Sequence, residues 1–505
     1  MRVILKNVFS NWLGLFVHTA IAFILSPFLI HTLGKDIYGI WILVNAMTGY
    51  LGVLDFGVRS AVVKFTASYF AKKDYKNLSN IISNILTVFL IIAVISLLVV
   101  FILFFYIENI FNIDSSEIAS FRIVFLLMGL NLALVFPLNI FGGMISGLQR
   151  YEITNLISIV QVIVKAILIF VLLSRGFGLL TLAIITVILD QLKHIIFYII
   201  IKKLTPDLRI TWLKYEKSIV KDVLKFSIKS FIIVASNMVV YYSGTFLIGV
   251  FSVLANVTYY TVSWNLIDYL QKVIRRIAFV LTPAASESEA LGKEDYLKTM
   301  YLYSTKYTLM IMVPAISILL ILGDSFLVLW LGPDFQRSYL VLIILTIAGI
   351  FALMQLIADN ILVGLNKHHF IARMKIFEAL ANVLFISILV NIYGIYGAAL
   401  GVAIPAIFIN SFFLVPFSLR TFKITLAEFF REVISTPLMA LIISLSILYS
   451  IDNILSINTW LIFILVCTVY CLLFMFIIYF ALPLELRNKI VAFVSTKGKY
   501  LLNRS

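Results

Sequence analysis

About fourteen runs of roughly 20 mostly apolar residues, separated by short polar breaks, leave this chain very few folds. They lie near 9–30, 38–58, 79–106, 121–145, 154–174, 178–201, 226–249, 258–282, 302–322, 338–364, 372–391, 395–418, 433–451 and 457–481. A helix of ~20 residues rises about 30 Å, the thickness of a bilayer's hydrocarbon core, whereas a transmembrane β-strand needs only ~10 residues and alternates strictly. The runs have the helical length and lack the alternation. The expected fold is an all-α integral membrane protein of about 14 transmembrane helices. Composition agrees: 62% of the residues are hydrophobic and 12% charged, too few polar side chains to cover a soluble domain, so the outer solvent is lipid. The first run begins behind Arg2 and Lys6 and continues to Ile30 without a small-residue cleavage site. It is expected to be a retained span rather than a removable leader.

Lys and Arg number 39 against 24 Asp and Glu, a net charge of +15. With an even number of spans both ends lie on one side, and 29 of the basic residues fall in breaks on that side. Only Lys35, Arg122, Arg175 and Arg337 fall opposite, alongside Asp36, Glu108, Asp114, Glu117, Asp334 and Asp452. Lys and Arg accumulate in cytoplasmic loops, so both termini are expected in the cytoplasm. The surplus is topological, and nucleic acid is excluded as a partner because no separate basic face remains for it. Cys467 and Cys471 stand four apart in an apolar run, with poor geometry for a disulfide, and are read as small hydrophobes.

The longest polar break, Lys202 to Lys225, divides the chain into similar parts. Gly147-Leu148-Gln149-Arg150-Tyr151 recurs as Gly364-Leu365-Asn366-Lys367-His368 at an offset of 217; Phe28-Leu29-Ile30 recurs as Phe246-Leu247-Ile248, and Gly176 as Gly394, at 218. Tyr38 with Tyr259, and Asp74-Tyr75 with Asp295-Tyr296, match at 221. The expected organisation is a six-helix lobe over residues 1–210, a second six-helix lobe in the same orientation over 211–420, and two further helices with a cytoplasmic tail over 421–505. Parallel repeats of this kind are a transporter plan, with the substrate path between the halves.

A charge at bilayer depth costs about 2.5–3.5 kcal/mol on insertion scales, so such residues face the bundle interior and are candidates for function. Lys165 sits at the centre of the fifth run, one turn from Gln161. Asp190 sits at the centre of the sixth, followed by Lys193 and His194. The eighth run carries Asp268, Lys272 and Arg275 as one helical stripe, with Arg276 beside it. The cations outnumber the acids, and a buried cationic surplus asks for an anion. The same residues also read as intrahelical ion pairs, with Arg275 and Arg276 reaching to headgroups. Arg59 and Asp55, and Asp359 and Glu378, lie nearer the cytoplasmic ends, where structural roles suit them equally. Arg59 joins the cationic group, and Asp190, Asp268 and Asp359 form the group suited to ion pairing or to a coupling ion. His18, alone in the first run, reads as a hydrogen-bonded core residue. Tyr38, Trp41, Tyr259 and Trp264, with Tyr260, sit near outer ends of spans, where aromatic rings form an interfacial belt; stacking on a sugar is the sharper reading.

No catalytic residue is assigned. There is no phosphate-cradling glycine loop, no Gly-x-Ser-x-Gly, no His-Glu-x-x-His and no metal-spaced Cys/His cluster, so no metal or cofactor is expected and the chain is read as no enzyme. A membrane glycan polymerase or glycosyltransferase would need a sizeable outer loop or an acidic sugar-nucleotide site, and neither is visible. An exporter of cationic drugs or metabolites would prefer an anionic cavity, which the positive surplus opposes.

Several segments carry a resemblance: Lys6-Asn7 before the first span, Leu33-Gly34-Lys35-Asp36-Ile37-Tyr38-Gly39-Ile40-Trp41, the Gly147–Tyr151 segment, and Trp330-Leu331-Gly332-Pro333-Asp334-Phe335. Together they resemble the Wzx-type polysaccharide flippases, whose superfamily includes multidrug and toxic-compound extruders and lipid II flippases. The resemblance implies a two-lobed transporter that opens alternately to each side. Its substrate would be a polyprenyl-diphosphate-linked oligosaccharide, moved to the outer leaflet of a bacterial or archaeal plasma membrane for O-antigen, capsule or another surface polymer. It further implies antiport against protons or sodium, contact with membrane lipid and glycan polymerases as partners. On that reading Lys165, Lys193, Lys272 and Arg275 hold the diphosphate and Asp190 or Asp268 carries a coupling proton.

Overall fold

The computed structural model describes residues 2–481, and among them every regular element is helical. The basic residues from Arg487 to Arg504, and the rest of the expected tail, lie outside the described residues. The first half runs α1 (Arg2–Leu33), α2 (Lys35–Leu51), the short α3 (Val58–Ala71), α4 (Tyr75–Ile110), α5 (Ile118–Gly147), α6 (Tyr151–Leu173) and α7 (Leu179–Leu204). The second runs α8 (Lys217–Phe251), α9 (Leu254–Phe279), the short α10 (Leu281–Ala290), α11 (Glu294–Ile321), α12 (Gly323–Leu331), α13 (Arg337–Gly364) and the long α14 (His368–Ile409). A π-turn, Asn410–Leu414, leads into α15 (Val415–Thr421); α16 (Leu426–Phe429), a second π-turn, α17 (Ser435–Ile454) and α18 (Trp460–Ala481) follow.

Among the described residues, eleven helices are long and apolar enough to cross a membrane by length and composition. The expected fourteen differ from this number for three physical reasons. The continuous His369–Thr421 segment is two spans folded at Gly394, whose φ of 58° and ψ of −133° are open to glycine alone. α9 is long enough but carries the charged stripe, which lowers its hydropathy. α18 is apolar but short where fully described, Trp460–Phe476.

The same order of elements occurs twice. α2 and α9 begin 219 residues apart, as do α4 and α11; α5 and α13 end 217 apart, and α6 and α14 begin 217 apart. Left-handed residues recur with them: Lys73 with Gly292, Gln149 with Asn366, and Gly176 with Gly394. The matches at 221 are out of register. Asp74 is the N-cap of α4, its carboxylate accepting from Asn77 N–H at 3.1 Å, whereas Asp295 lies inside the first turn of α11, where Lys293 is the N-cap.

The packing tells how the halves meet. One apolar cluster draws on both of them: Leu43 and Met47 of α2, Phe125 of α5, Ile248 of α8, Tyr259 and Leu266 of α9, Trp330 of α12 and Leu345 of α13. It fills the half of the molecule away from the N-terminus of α1, here termed the far half. Toward the N-terminal face there are two clusters instead. One joins α3, α4, α5 and α7 of the first lobe; the other joins α10, α11, α13 and α14 of the second. Helix α8 crosses between them, through Val220 and Val223, Phe226 against Phe65 and Phe231 against Phe56. The lobes are thus welded at the far face and divided toward the N-terminal face. The weld is close-packed: a Cβ on Gly39 of α2 would strike the Leu254 carbonyl of α9. Thr258 Oγ1 donates to the Lys35 carbonyl at 2.7 Å, Lys35 pairs with Asp334 at 3.2 Å, and Trp330 Nε1 donates to the Phe23 carbonyl at 3.2 Å while its ring stacks on Phe23. α17 and α18 pack on the second lobe's periphery around Leu322 and Tyr470.

Candidate functional site

The midspan charges form two clusters, one in each lobe. In the first, Asp190 of α7 accepts from Gln161 Nε2 of α6 at 2.5 Å and from Asn131 Nδ2 of α5 at 3.0 Å, and pairs with Lys193 one turn along at 3.5 Å. Gln191 Nε2 donates in turn to Asn131 Oδ1 at 2.7 Å. Lys165, one turn from Gln161 on α6, lies within electrostatic reach of both Asp190 and Lys193, with its ammonium 6.0 Å from the centre of the Trp41 ring. In the second cluster, Asp268 of α9 is 4% exposed and pairs with Lys272 at 2.7 Å and Arg275 at 3.4 Å, whose side chains are 43% and 49% exposed. Tyr241 of α8 also donates to Asp268, at 3.4 Å, and the Lys272 ammonium stands 5.4 Å from the Tyr269 ring centre.

The difference in exposure gives the second cluster its chemistry. The carboxylate is buried behind the cations, and the cations project into open space. An ion pair whose members were equally buried would present no charge; this one presents two cations over a single anion. The first cluster differs: Asp190 and Lys193 are about equally exposed, 24% and 21%, and its surplus comes from Lys165 as a second cation within electrostatic reach. Each lobe therefore contributes one positive charge more than its acid neutralises, and a low-dielectric surrounding strengthens the attraction for an anion.

His18 of α1 joins the clusters across the lobes, since its ring lies within electrostatic reach of both Lys193 and Lys272. The expectation of a core histidine is not met, since the side chain is exposed. The polar stripe of α9 continues to a third group. Arg275 lies within reach of Lys375 of α14, which pairs at 2.7 Å with the buried Glu378, while Gln355 Nε2 donates to Asp359 at 2.8 Å and also reaches Ser418 at 3.3 Å. Asp359 therefore sits with Lys375, Glu378 and Gln355, apart from Asp268. Arg59 is exposed at the start of α3, its N–H bonded to Asp55 at 3.3 Å, within reach of His194. Arg276 is exposed on the last turn of α9, and Asp268's ion pairs among the described residues are with Lys272 and Arg275.

The aromatic residues divide. Tyr38 and Tyr259 are buried in the weld between lobes, Tyr259 edge-on to Phe335 at 5.1 Å and 5.8 Å beneath the Lys35 ammonium. They belong neither to a lipid belt nor to a sugar platform in this conformation, because the close approach of α2 and α9 encloses them. Tyr260 is buried likewise, stacked at 6.3 Å on Trp264, whose buried Nε1 has no hydrogen-bond partner among the described residues. Trp41, half-buried beneath Lys165, is the one of the four candidates set beside a midspan cation.

Sequence reasoning missed Asn131, Gln191, Tyr241 and the placement of His18. Asn131 had a signal, since it lies at the middle of the apolar α5, as Lys165 does in α6. Tyr241 had none, because its partner stands 27 residues away on another helix. Among the described residues no group of His, Cys, Asp and Glu is arranged to hold a metal ion.

The fold is that of a multi-pass helical membrane protein with a repeated order of helices. It superposes on a lipid II flippase, MurJ, in an inward closed conformation with a TM-score of 0.70 at 17% identity, over 94% of this chain and 98% of that one. It also superposes on an inward-facing multidrug resistance MATE family transporter of the MOP superfamily with a TM-score of 0.68 at 14% identity, over 81% and 94%. Residues 4–289, more than half of the chain, match the family described as "Polysaccharide biosynthesis protein", and the chain belongs to that family. It is similar to the probable low-salt glycan biosynthesis flippase Agl15 of Haloferax volcanii, 23% identical over 158 residues, 31% of this chain and 34% of that protein. The chain spans about a third of the length of the curated relatives it matches.

Proposed function

We propose that this protein flips a polyprenyl-diphosphate-linked oligosaccharide across the plasma membrane of a bacterium or archaeon by rocking its two lobes. The observation that carries this reading is the pair of midspan carboxylates, the part-buried Asp190 and the buried Asp268, each with two cations nearby. A diphosphate is the anion that such a divided surplus suits, since Lys165 and Lys193 can take one side of it and Lys272 and Arg275 the other. Family membership and the similarity to a glycan flippase support the substrate class.

On this reading the basic N-terminal face is cytoplasmic and the division between lobes admits the headgroup from that side, the lipid tail staying in the bilayer. Binding draws the cations of both lobes onto one ligand; opening the weld at Lys35, Asp334 and Thr258 then releases it outward. Asp190 and Asp268 lose part of their counter-charge to the ligand at each cycle. That exchange is a physical route for coupling to protons, the ion we favour for an antiport step. The polymer served, whether O-antigen, capsule or another, and handover to a glycan polymerase follow from the same reading.

The deciding experiment measures the leaflet location of lipid-linked oligosaccharide in cells depleted of the protein and complemented with wild type or Arg275→Ala. Accumulation on the cytoplasmic face in depleted and Arg275→Ala cells, and its clearance by wild type, is the expected result. Outward transfer at the normal rate without the protein overturns it.

A further inference from the structure

The segment joining the two halves, residues 205–216, takes no part in the reading above, yet it is a built structure. Its backbone is tied to α4: Arg209 N–H donates to Ser79 Oγ at 3.1 Å, Thr211 N–H to Ser83 Oγ at 2.9 Å and Glu216 N–H to Asn84 Oδ1 at 2.5 Å. Asn80 Nδ2 adds a bond to the Glu216 carboxylate at 3.1 Å. Leu208 and Ile210 turn inward onto the first lobe's core. The next apolar residues do the reverse: Trp212, Leu213 and Tyr215 are 61%, 77% and 60% exposed. Leu213 is held at a φ of 56°, a left-handed conformation that bulky residues rarely adopt.

A pinned segment that aims a tryptophan, a leucine and a tyrosine away from the protein presents them to something apolar. Its place in the fold says what. It lies where α7 ends and α8 begins, against the first turns of α4, hence at the level where spans leave the hydrocarbon. Trp and Tyr favour that depth. Exposed Lys202, Lys203, Lys217 and Lys221 flank it on the same face, and basic groups at that level attract anionic headgroups.

We propose that the interlobe linker is a lipid-binding site, with Trp212, Leu213 and Tyr215 inserted among the headgroups and Lys202, Lys203 and Lys217 engaging the phosphates of anionic lipid. The linker is then held by α4 on one side and by the bilayer on the other, a fixed point from which the second lobe moves. This goes beyond the transport reading and stands whether or not the chamber between the lobes takes a lipid-linked sugar.

The test uses the full chain with Cys467 and Cys471 replaced by Ser. A nitroxide is attached at Leu213→Cys, or at Tyr215→Cys should the first variant insert poorly, and at Asp207→Cys as an exposed polar reference. In liposomes the label at 213 is expected to collide preferentially with oxygen and the label at 207 with a water-soluble nickel chelate. Equal access of both labels to the chelate overturns insertion. In a second arm, phosphatidylglycerol added to detergent-purified protein is expected to raise its Tm, with the half-effective concentration higher by on the order of tenfold in a Lys202→Gln, Lys203→Gln, Lys217→Gln variant. An unchanged response in that variant, or the same rise from inorganic phosphate alone, overturns the anionic-lipid site.

Discussion

Asp268 shows how one carboxylate can organise a site. It is buried and its partners are half exposed, so the two members of each ion pair differ in what their removal does. Asp268→Asn leaves Lys272 and Arg275 facing each other without an anion. Removing one member of a fully buried pair costs about 3–5 kcal/mol; with half-exposed cations, water recovers part of that, and a loss of about 2 kcal/mol is expected, read as a lowered Tm of the purified protein. Lys272→Gln is expected to cost less than about 1 kcal/mol, because Arg275 and Tyr241 still hold Asp268, while flipping falls at least several-fold. Equal losses of stability in the two variants would mean that the cations serve only the ion pair. The charged members of both clusters were legible in the chain because a charge at bilayer depth is costly enough to be meaningful by itself. Neutral partners such as Asn131 and Tyr241 carry no comparable penalty, and only contact identifies them.

At the scale of elements, two glycines are decisive for different reasons. Gly394 folds two spans back on each other with a backbone that a Cβ opposes; Gly394→Ala is expected to cost about 1–3 kcal/mol, measured by thermal unfolding, with no effect on headgroup binding. Gly39 has ordinary helical surroundings but lets α2 lie against α9, where a Cβ meets the Leu254 carbonyl. A backbone carbonyl within a helix cannot turn aside, so Gly39→Val is expected to push the lobes apart at the far face. A Lys35→Cys, Asp334→Cys pair bridged by a short dithiol-reactive reagent reports this. The bridge is expected to form readily in the parent protein and to arrest transport, and to form several-fold more slowly when Gly39→Val is added. The repeat was visible in the turn segments, at 217 and 218, because turns constrain residue type. It was misread within helices, where Asp74 and Asp295 matched by letter though one caps its helix and the other does not.

For the whole molecule, one core shared by the lobes fills the far half while two separate cores lie toward the N-terminal face, an arrangement that favours access from the N-terminal side. Lys272→Cys is therefore expected to react with a membrane-impermeant thiol reagent from the cytoplasmic side, in inside-out vesicles, and to be protected from the outside. Bridging residues 35 and 334 is expected to leave that labelling intact. Labelling from the outside in the bridged protein would show that the weld does not close the path. The α9 stripe is tolerated within a span in part because Asp268 pairs with both Lys272 and Arg275.

The sequence by itself determined the all-helical membrane character of the fold and showed recurring turn segments and charges within apolar runs, since these follow from length, apolarity and residue type. Tertiary structure alone decided the rest. Whether Asp190 and Asp268 attract or merely balance their neighbours depends on which partner is buried. Whether Tyr38 and Tyr259 meet lipid, sugar or each other's helices depends on how closely α2 approaches α9. That His18 comes within electrostatic reach of Lys193 and Lys272 depends on the packing of helices from both halves of the chain. These are properties of distances between elements, and periodicity along a helix holds no information about them.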